Sequence, residues 1–371
     1  MSLIEKFDHY LSDDGPAALV IREYLAPAEG KDGVVFPPTY ASGEGFPGGY
    51  NIDGDHNGEN ICLIDSVGSQ ANRIEPIFGK ENYKDLIPQI VVKAGDHPVN
   101  ILEAGHRAGD AIVRCSELQQ DLQNAFKLLL KGDATPLAKI APTSIVFGVW
   151  DSRDSQAKLP RIIASTIRAF NVRKLKRSAQ YVPATEYVAQ KLLDEPEEKD
   201  KKMKDAYAER GFVHVPATGS HGGVIVKGFI RRDAVLGLTP IKLLFAGDDP
   251  GKTTALRRYI LGLALVAFTR KPMDYIRQGC LLVHDPDHAS QNEFVEVLHS
   301  GERKPVTIDH MEALEYAYEA ARGFGVGKSR TVDFDKERAK KDVTGEGDTK
   351  TKGKKGKKTE VKDNSDDKEE N

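Results

Sequence analysis

One stretch of the sequence is strongly basic although the whole chain is slightly acidic. Residues 151–177 (DSRDSQAKLPRIIASTIRAFNVRKLKR) hold eight basic and two acidic residues, a local charge of +6, whereas the 371-residue chain carries a net charge of −3. Clustered Arg and Lys side chains neutralise phosphates, while amides and hydroxyls hydrogen-bond phosphate or ribose. The segment therefore indicates a nucleic-acid-binding face, with a solvated helix face as the alternative. Its candidate RNA contacts are Arg153, Gln156, Lys158, Arg161, Arg168, Arg173, Lys174, Lys176 and Arg177.

Two further segments combine polar and charged side chains at close spacing. Residues 65–76 read DSVGSQANRIEP, and residues 105–114 read GHRAGDAIVR. Together with FGVWDSRDSQAKLPRIIASTIRA, residues 147–169, they resemble the backbone subunit of type I CRISPR interference complexes. This family is the Cas-seven branch of the RAMP superfamily, and the resemblance is to subtype I-G, formerly I-U. The matching stretches extend over residues 62–280, which is most of the chain ahead of its charged end.

The resemblance implies an α+β fold, a modified RRM-like (ferredoxin-like) palm with finger and thumb insertions. It implies many copies side by side along the spacer of a CRISPR guide RNA, held by its backbone while base pairing reads the target. The implied partners are the guide RNA, the target DNA strand through the guide, other copies of the chain, other Cascade subunits and a helicase-nuclease effector. No enzymatic activity, cofactor or metal is implied.

The resemblance also assigns roles to residues outside the basic segment. The residues implied to contact the guide are Ser69, Gln70, Asn72 and Arg73. His106 and Arg107 either support that contact or pack and cap the helix that follows. Unlike an ordinary RNA-binding RRM, the sequence offers no aromatic-rich strand of the kind that stacks bases. We therefore expect recognition of backbone and shape, which suits a subunit that must accept any spacer.

A different segment supports a rival interpretation. Residues 246–253, AGDDPGKT, fit a relaxed Walker A pattern between a predicted strand and a predicted helix, and LLVHD, residues 281–285, resembles a magnesium-holding acidic strand. However, Ala246 replaces the first glycine, and Asp248 and Asp249 bring carboxylates to a place where backbone amides should cradle phosphates. A P-loop NTPase is therefore the alternative function.

Other candidates for chemistry are weaker. Residues 53–58, DGDHNG, open like an EF-hand loop, but Ile64 stands where the twelfth-position Glu is required. The histidines are too loosely spaced to argue a zinc site, and the three cysteines indicate neither a disulfide framework nor a metal site. Trp150, the only tryptophan, ends an apolar run. It is interpreted as a core residue rather than a base-stacking one.

Periodicity and turn residues place these segments on a mixed set of elements. Strands are predicted at 144–150, 224–232, 241–245 and 280–284. Helices are predicted at 110–131, 159–170, 253–268 and 310–322. The Gly- and Pro-rich residues 36–50 cannot form a regular helix, and residues 194–205 form a charged excursion.

Composition bounds the class of protein. Hydrophobic residues make up 39 % and charged residues 29 %, enough for a core beneath a charged surface. From residue 342 onward the chain holds 8 Lys and 9 acidic residues without an aromatic one, so it has too little apolar surface to order. We expect one domain over residues 1–330 and a disordered tail over 331–371.

The start does not read as a signal peptide, and the longest apolar run, residues 259–268, is too short to cross a bilayer. We expect a cytoplasmic protein without a membrane partner.

Overall fold

Helices and antiparallel strands alternate along the chain. In the computed structural model the described residues are 2–54, 59–271 and 275–344. Contacts divide the chain into one unit over residues 1–334 and a second over residues 335–371. The predicted α+β class is confirmed, because helices pack on sheets whose neighbouring strands are mostly antiparallel.

The element bounds are as follows. The helices are α1 (Val67–Ile74), α2 (Ala111–Arg114), α3 (Gln119–Leu129), α4 (Thr135–Ile140), α5 (Pro142–Phe147), α6 (Lys201–Glu209), α7 (Thr239–Lys242), α8 (Pro250–Thr269), α9 (His310–Phe324) and α10 (Lys336–Thr344). The strands are β1 (Ala18–Pro27), β2 (Val34–Val35), β3 (Thr39–Tyr40), β4 (Gly49–Tyr50), β5 (Ile52–Gly54), β6 (Asn60–Asp65), β7 (Ile90–Ala94), β8 (His97–Asn100), β9 (Val149–Trp150), β10 (Lys158–Leu159), β11 (Ile163–Phe170), β12 (Val172–Tyr181), β13 (Val215–Val226), β14 (Ile230–Gly237), β15 (Tyr275–Arg277), β16 (Cys280–His284), β17 (Glu293–Val297), β18 (Arg303–Pro305) and β19 (Arg330–Asp333).

The main sheet is built around β1. Its strand order is β15-β16-β1-β14-β11-β6-β5. Strands β16 and β17 share one edge of β1: β16 pairs with residues 25–27 and β17 with residues 18–22. The strand β17 also pairs with β18. Neighbours in this sheet run antiparallel. Helices α1 and α5 pack against β11, and α8 packs against β14. The β12–β13 hairpin extends from the strands β11 and β14 and pairs with β2 in a separate sheet.

The long helix α8 forms the centre of the larger hydrophobic core. Every residue from Tyr259 to Phe268 is buried, which suits a helix enclosed on all sides. Asp249 caps its first turn, and its partner α9 begins at the cap Asp309. At the crossing of the two helices, a Cβ atom on Gly262 would lie 2.9 Å from the Cα of Ala317. The absent side chain allows the two backbones to approach closely.

Some of the predicted helices and strands are confirmed, and others are divided into two elements. The predicted helices at 253–268 and 310–322 correspond to α8 and α9, and the strand at 280–284 is β16. The predicted helix at 110–131 is divided into α2 and α3. The predicted strand at 224–232 is divided by the turn between β13 and β14.

Three predictions require correction. The predicted helix at 159–170 is the strand β11, in which β-branched residues such as Ile163 and Ile167 lie buried in the sheet. The apolar run at 144–150 is mainly α5, which starts at Pro142 and is buried throughout. The predicted strand at 241–245 contains the end of α7, which begins at Thr239 and has Pro240 in its first turn.

The tail boundary also moves. Strand β19 pairs in parallel with β7, and α10 follows in the second unit, so residues 331–344 are not the disordered segment that was predicted. Val332 of β19 is 4 % exposed, and this burial holds the strand in the first unit. The remainder of the predicted tail, residues 345–371, lies outside the described residues.

Candidate nucleic-acid interface

A basic groove opens beside the β9–β10 hairpin and has a volume of about 600 Å³. Its charged and aromatic lining side chains, here called the basic groove, are His106, Arg107, Arg114, Trp150, Arg153, Lys158 and Arg161. Among the described residues, no Asp or Glu lines it. Five of the predicted site residues therefore meet in one cationic depression, which can attract a polyanion.

Two glycines shape the wall of the groove. Gly148 follows α5 with a φ of 82°, a conformation that favours glycine. A Cβ atom there would lie 2.9 Å from Cγ of Arg161 and 3.1 Å from its backbone nitrogen. At Gly109 a Cβ atom would lie 2.9 Å from the carbonyl oxygen of Trp150. The segments that carry Trp150 and Arg161 can approach these two glycines closely because both positions lack side chains.

Arg107 is the structural member of the groove. Its Nε donates to Oε2 of Glu75 at 2.6 Å, and the two residues are 3 % and 1 % exposed. Its guanidinium also lies 5.4 Å from the centre of the Phe147 ring, and its backbone has a φ of 54°. Of the two predicted roles for Arg107, support of the guide contact or packing beside the following helix, these contacts fit packing; the supporting role stays a prediction.

Three cations of the groove, Arg153, Lys158 and Arg161, share the lack of a carboxylate partner. None of the three forms an ion pair with a carboxylate in the described part of the chain. Partial burial and the neighbouring Arg107 guanidinium lower the pKa of Arg161, although an arginine stays charged at neutral pH. Like charges gathered without counter-ions raise the potential of the groove and favour an anionic ligand.

The loop that holds Arg153 is fixed by Asp151. The buried Asp151 carboxylate accepts hydrogen bonds from the backbone nitrogen and the hydroxyl of Ser155 at 2.8 and 2.6 Å. Gln156 has a φ of 61°, and its amide donates to the carbonyl oxygen of Ser152 at 2.7 Å. Ser155 is thus engaged within the loop, whereas Gln156 is exposed.

Trp150 lines this groove, and the prediction of a core residue is wrong. The residue is 56 % exposed, and the ammonium of Lys158, its partner across the β9–β10 pair, lies 5.4 Å from the ring centre. Arg114 also lines the groove and was not among the predicted contacts. The signal for Trp150 was present in the sequence, because it separates an apolar run from the polar loop DSRDSQ.

His106 borders the groove on its solvent side. Its side chain is 86 % exposed, and Nδ1 lies 3.6 Å from a carboxylate oxygen of Asp110, which forms an ion pair only if the imidazole is protonated. The backbone nitrogen of His106 donates to the same carboxylate at 3.2 Å. His106 is thus accessible to a ligand, whereas its neighbour Arg107 is buried.

The SQANR segment lies in α1, and several of its polar side chains bond to residues of the interior. The Gln70 amide donates to Asp65 at 2.6 Å and accepts from the Ser165 hydroxyl at 2.9 Å, and Gln70 is 6 % exposed. Arg73 binds the same Asp65 carboxylate at 3.1 Å. These bonds join α1 to the sheet. A shared guide contact by Ser69, Gln70, Asn72 and Arg73 stays a prediction, and Asn72 is the exposed member of the four.

The remaining predicted contacts lie on strands outside the groove. Arg168 is in β11, pairs in register with Arg231 and donates to the Thr166 hydroxyl at 2.9 Å. The other four, here called the basic hairpin strand, are exposed residues of β12, namely Arg173, Lys174, Lys176 and Arg177. None of them lines the basic groove. The segment of charge +6 therefore supplies two separate cationic surfaces.

The segment that resembles Walker A has a different local structure. The Asp249 carboxylate accepts the backbone nitrogen of Lys252 at 3.0 Å, so it occupies an amide that would face a phosphate. The Thr253 hydroxyl accepts from the Ala246 nitrogen at 3.0 Å. The element before the loop is α7 rather than a strand. These contacts describe a capped helix and disfavour a phosphate loop.

The other candidates for metal chemistry find no support in the described residues. Within residues 2–54, 59–271 and 275–344, no cluster of three or more His, Cys, Asp or Glu side chains is arranged to hold a metal ion. Asp53 is in β5, and residues 55–58 of the DGDHNG segment lie outside the described part. Asp285 of LLVHD accepts from His288 at 2.6 Å and binds Lys31 at 3.4 Å.

In the described residues, 2–54, 59–271 and 275–344, no helix has the length and apolar character needed to cross a membrane.

One family model matches part of the chain. Residues 19–174, less than half of the chain, match the family described as CRISPR-associated protein GSU0053. The match contains every residue of the basic groove and ends within β12.

A solved structure and the curated proteins add less. A chain of the structure titled "CRISPR RNA-guided surveillance complex, pre-nicking" is similar at 11 % identity, over 83 % of this chain and 89 % of that chain, with a TM-score of 0.32. A score of that size does not establish a shared fold. No curated protein matches this chain.

Proposed function

We propose that this chain binds the guide RNA of a CRISPR surveillance complex and holds it without catalysing a reaction. The observation that carries the proposal is the basic groove, in which Arg153, Lys158 and Arg161 lack carboxylate partners among the described residues. A guide-binding subunit must accept every spacer sequence, and contacts to phosphate and sugar carry no sequence information. A cationic groove with few base-reading groups suits that task.

The family match supports a CRISPR role for the same region. The matched residues 19–174 include the loop of Arg153, the β9–β10 hairpin and the whole of β11. The groove is therefore part of what this chain shares with CRISPR-associated proteins. The finer assignment, a backbone subunit of a type I-G Cascade complex, rests on the resemblance of segments such as SQANRIEP and WDSRDSQAKLPR.

The strand order supports an RRM-like palm. The order β17-β1-β14-β11 is antiparallel throughout, and helices lie between β1 and β11 and between β14 and β17 along the chain. This is the order expected of a βαββαβ unit, with β11 and β14 as its second and third strands along the chain. The β12–β13 hairpin then interrupts that pair as an insertion, as a finger or thumb would.

Several copies are needed to cover one guide. Small folds that bind single strands cover about 4–16 nucleotides each. A guide that forms a heteroduplex of about 20 base pairs with its target exceeds the capacity of one basic groove. We propose that copies polymerise along the spacer, with the target DNA strand, other Cascade subunits and a helicase-nuclease effector as further partners.

The experiment is a salt titration of binding to a single-stranded RNA of arbitrary sequence. For the purified chain, log K is expected to fall with log salt by about 0.7 per phosphate neutralised. Replacement of Arg153, Lys158 and Arg161 by Ala is expected to weaken binding to all sequences alike and to reduce the slope by about 2, or 0.7 for each lost contact. A competition with unrelated sequences checks the expected lack of sequence preference.

A matched variant controls for net charge. Lys199, Lys201 and Lys202 are exposed cations in or beside α6, and their replacement by Ala removes the same charge elsewhere. This variant should bind as the wild type does, apart from a small long-range effect at low salt. Equal losses in the two variants would show that only total charge matters and would remove the groove from the proposal.

A further inference from the structure

The exposed ring of Trp150 requires an explanation. It is the only tryptophan of the chain and is 56 % exposed in the basic groove, whereas most large aromatic side chains of the described residues are buried or half-buried. Tryptophan combines a large apolar surface with a polar edge, which is why it is enriched at binding surfaces. An exposed ring in the same groove as Arg153 and Lys158 is a candidate contact for a flat, apolar ligand group.

The Lys158 side chain already contacts one face of the Trp150 ring. The Lys158 ammonium lies 5.4 Å from the ring centre, in the range of a cation–π contact, and the β9–β10 pairing holds Lys158 opposite Trp150. A cation over one face leaves the other face and the ring edges of the exposed indole for further contacts. Trp150 lines the basic groove, whose volume of about 600 Å³ falls in the range of small-ligand sites.

We infer that Trp150 is a stacking platform for one unpaired nucleobase of the bound strand. The inference rests on the proposed function and adds a base contact to the backbone contacts of Arg153, Lys158 and Arg161. A nucleobase offers two flat faces, and every base has a π-face, so stacking tolerates any sequence. Phosphates on both sides of the stacked base can meet the cations of the groove.

The platform selects single strands over duplexes. In a helix each base is covered by its neighbours, and an indole ring reaches a base face only where the stack is open. The sequence predicts recognition of backbone and shape alone, because it has no strand rich in aromatic residues. The structure provides one aromatic face in the groove instead, from the short strand β9.

Trp150 also provides its own reporter. Since the chain has a single tryptophan, its fluorescence under selective excitation reports on this site alone. The probes are an oligouridylate of about ten nucleotides and a ribose-phosphate oligomer of equal length that lacks bases. Affinity is measured separately by the anisotropy of a dye on the oligomer, so that binding and stacking are scored independently.

The expected result has three parts. Oligouridylate quenches the Trp150 fluorescence, whereas the oligomer without bases binds through its phosphates and leaves the fluorescence nearly unchanged. Trp150→Ala lowers the affinity for oligouridylate about tenfold, as expected for the loss of one stacked base, but does not lower it for the oligomer without bases. Trp150→Phe retains most of the affinity. Thermal melts check that both variants fold.

Two results would overturn the inference and differ in what they mean for the proposed function. If oligouridylate binds tightly without changing the fluorescence and binds Trp150→Ala equally well, Trp150 is not a platform, and the proposed RNA-binding function stands. If the wild type binds neither oligomer at low salt, both the platform and the proposed function are wrong.

Discussion

The guanidinium of Arg107 and the carboxylate of Glu75 form a buried ion pair 2.6 Å long, directly behind the basic groove. Burial raises the pKa of the Glu75 carboxyl, and the Arg107 guanidinium opposes this shift by favouring the charged form. The pair offsets part of the cost of burying the two groups and fixes the turn from which His106 reaches the solvent. Removal of one member leaves the other without its counter-charge.

The first prediction is that Arg107→Gln destabilises the fold in a pH-dependent way. Without the guanidinium, burial alone acts on Glu75, so its pKa in the folded state moves further above the ordinary value of 4.5. A raised pKa means that the folded state holds a proton that the unfolded state releases, so stability falls as pH rises through the folded-state pKa. The loss relative to wild type should be small near pH 4.5 and reach about 3–5 kcal/mol at alkaline pH.

Denaturant unfolding of Arg107→Gln at several pH values measures this dependence. The matched control is Arg153→Gln, which removes an exposed cation from the same groove and should change stability by no more than about 0.5 kcal/mol at any pH. An Arg107→Gln loss that stays constant across this pH range would contradict the assigned role of the Glu75 proton.

The second prediction concerns Gly148. Gly148→Ala places a Cβ atom 2.9 Å from Cγ of Arg161 in a backbone conformation with φ of 82°. We expect a loss of about 1–3 kcal/mol in stability and weaker RNA binding, because Arg161 must move. Gly105→Ala is the control, since Gly105 lines the same groove and a Cβ atom there meets nothing within 4 Å. Equal behaviour of the two variants in melting and RNA binding would refute the argument.

The third prediction separates α1 from the groove. Gln70→Ala removes two hydrogen bonds in the interior, one to the Asp65 carboxylate and one from the Ser165 hydroxyl. A loss of about 1–3 kcal/mol is expected in chemical denaturation. Asn72→Ala, at an exposed position of the same helix, should stay within about 0.5 kcal/mol of wild type. If Gln70→Ala were as stable as wild type and bound RNA more weakly, Gln70 would be a guide contact instead.

The fourth prediction concerns the basic hairpin strand. Its four cations are exposed, so their joint replacement by Ala should leave the melting temperature nearly unchanged. RNA affinity should fall for all sequences, with a salt slope reduced by about 0.7 for each lost phosphate contact. The control removes four exposed cations in or beside α6, namely Lys199, Lys201, Lys202 and Arg210. If the strand variant binds as wild type does at every salt concentration, β12 is a solvated surface and the groove acts alone.

The sequence predicted well where local signals agree. Helix α8 has a continuous apolar run, so its existence followed from local chemistry; the prediction began at Thr253 and missed the first turn, which starts at Pro250 after the cap Asp249. The strand β11 shows the opposite case. Pro160 suggested the first turn of a helix, but Pro160 lies before the strand, and the β-branched residues after it pair with β14 and β6. Partners so distant in the chain cannot be read from local periodicity.

The candidate site was predicted in composition but not in arrangement. Charge density alone identified the cations Arg153, Lys158 and Arg161, which the fold does bring together. It could not show that β12 carries the other cations to a different surface, because that depends on the β12–β13 pairing. Nor could it show that Gln70 faces inward, since its partner Ser165 is 95 residues away along the chain.

The most direct test of the central claim is the identity of the RNA that accompanies the chain. The chain is expressed with a CRISPR array, purified without nuclease at low salt, and the bound RNA is extracted and sequenced, beside the variant with Ala at Arg153, Lys158 and Arg161. We predict spacer-containing guide RNA in the wild type, with no preference among spacers, and much less RNA in the variant. A wild-type protein that carries no RNA, or carries cellular RNA in which guides are not enriched, would contradict the account.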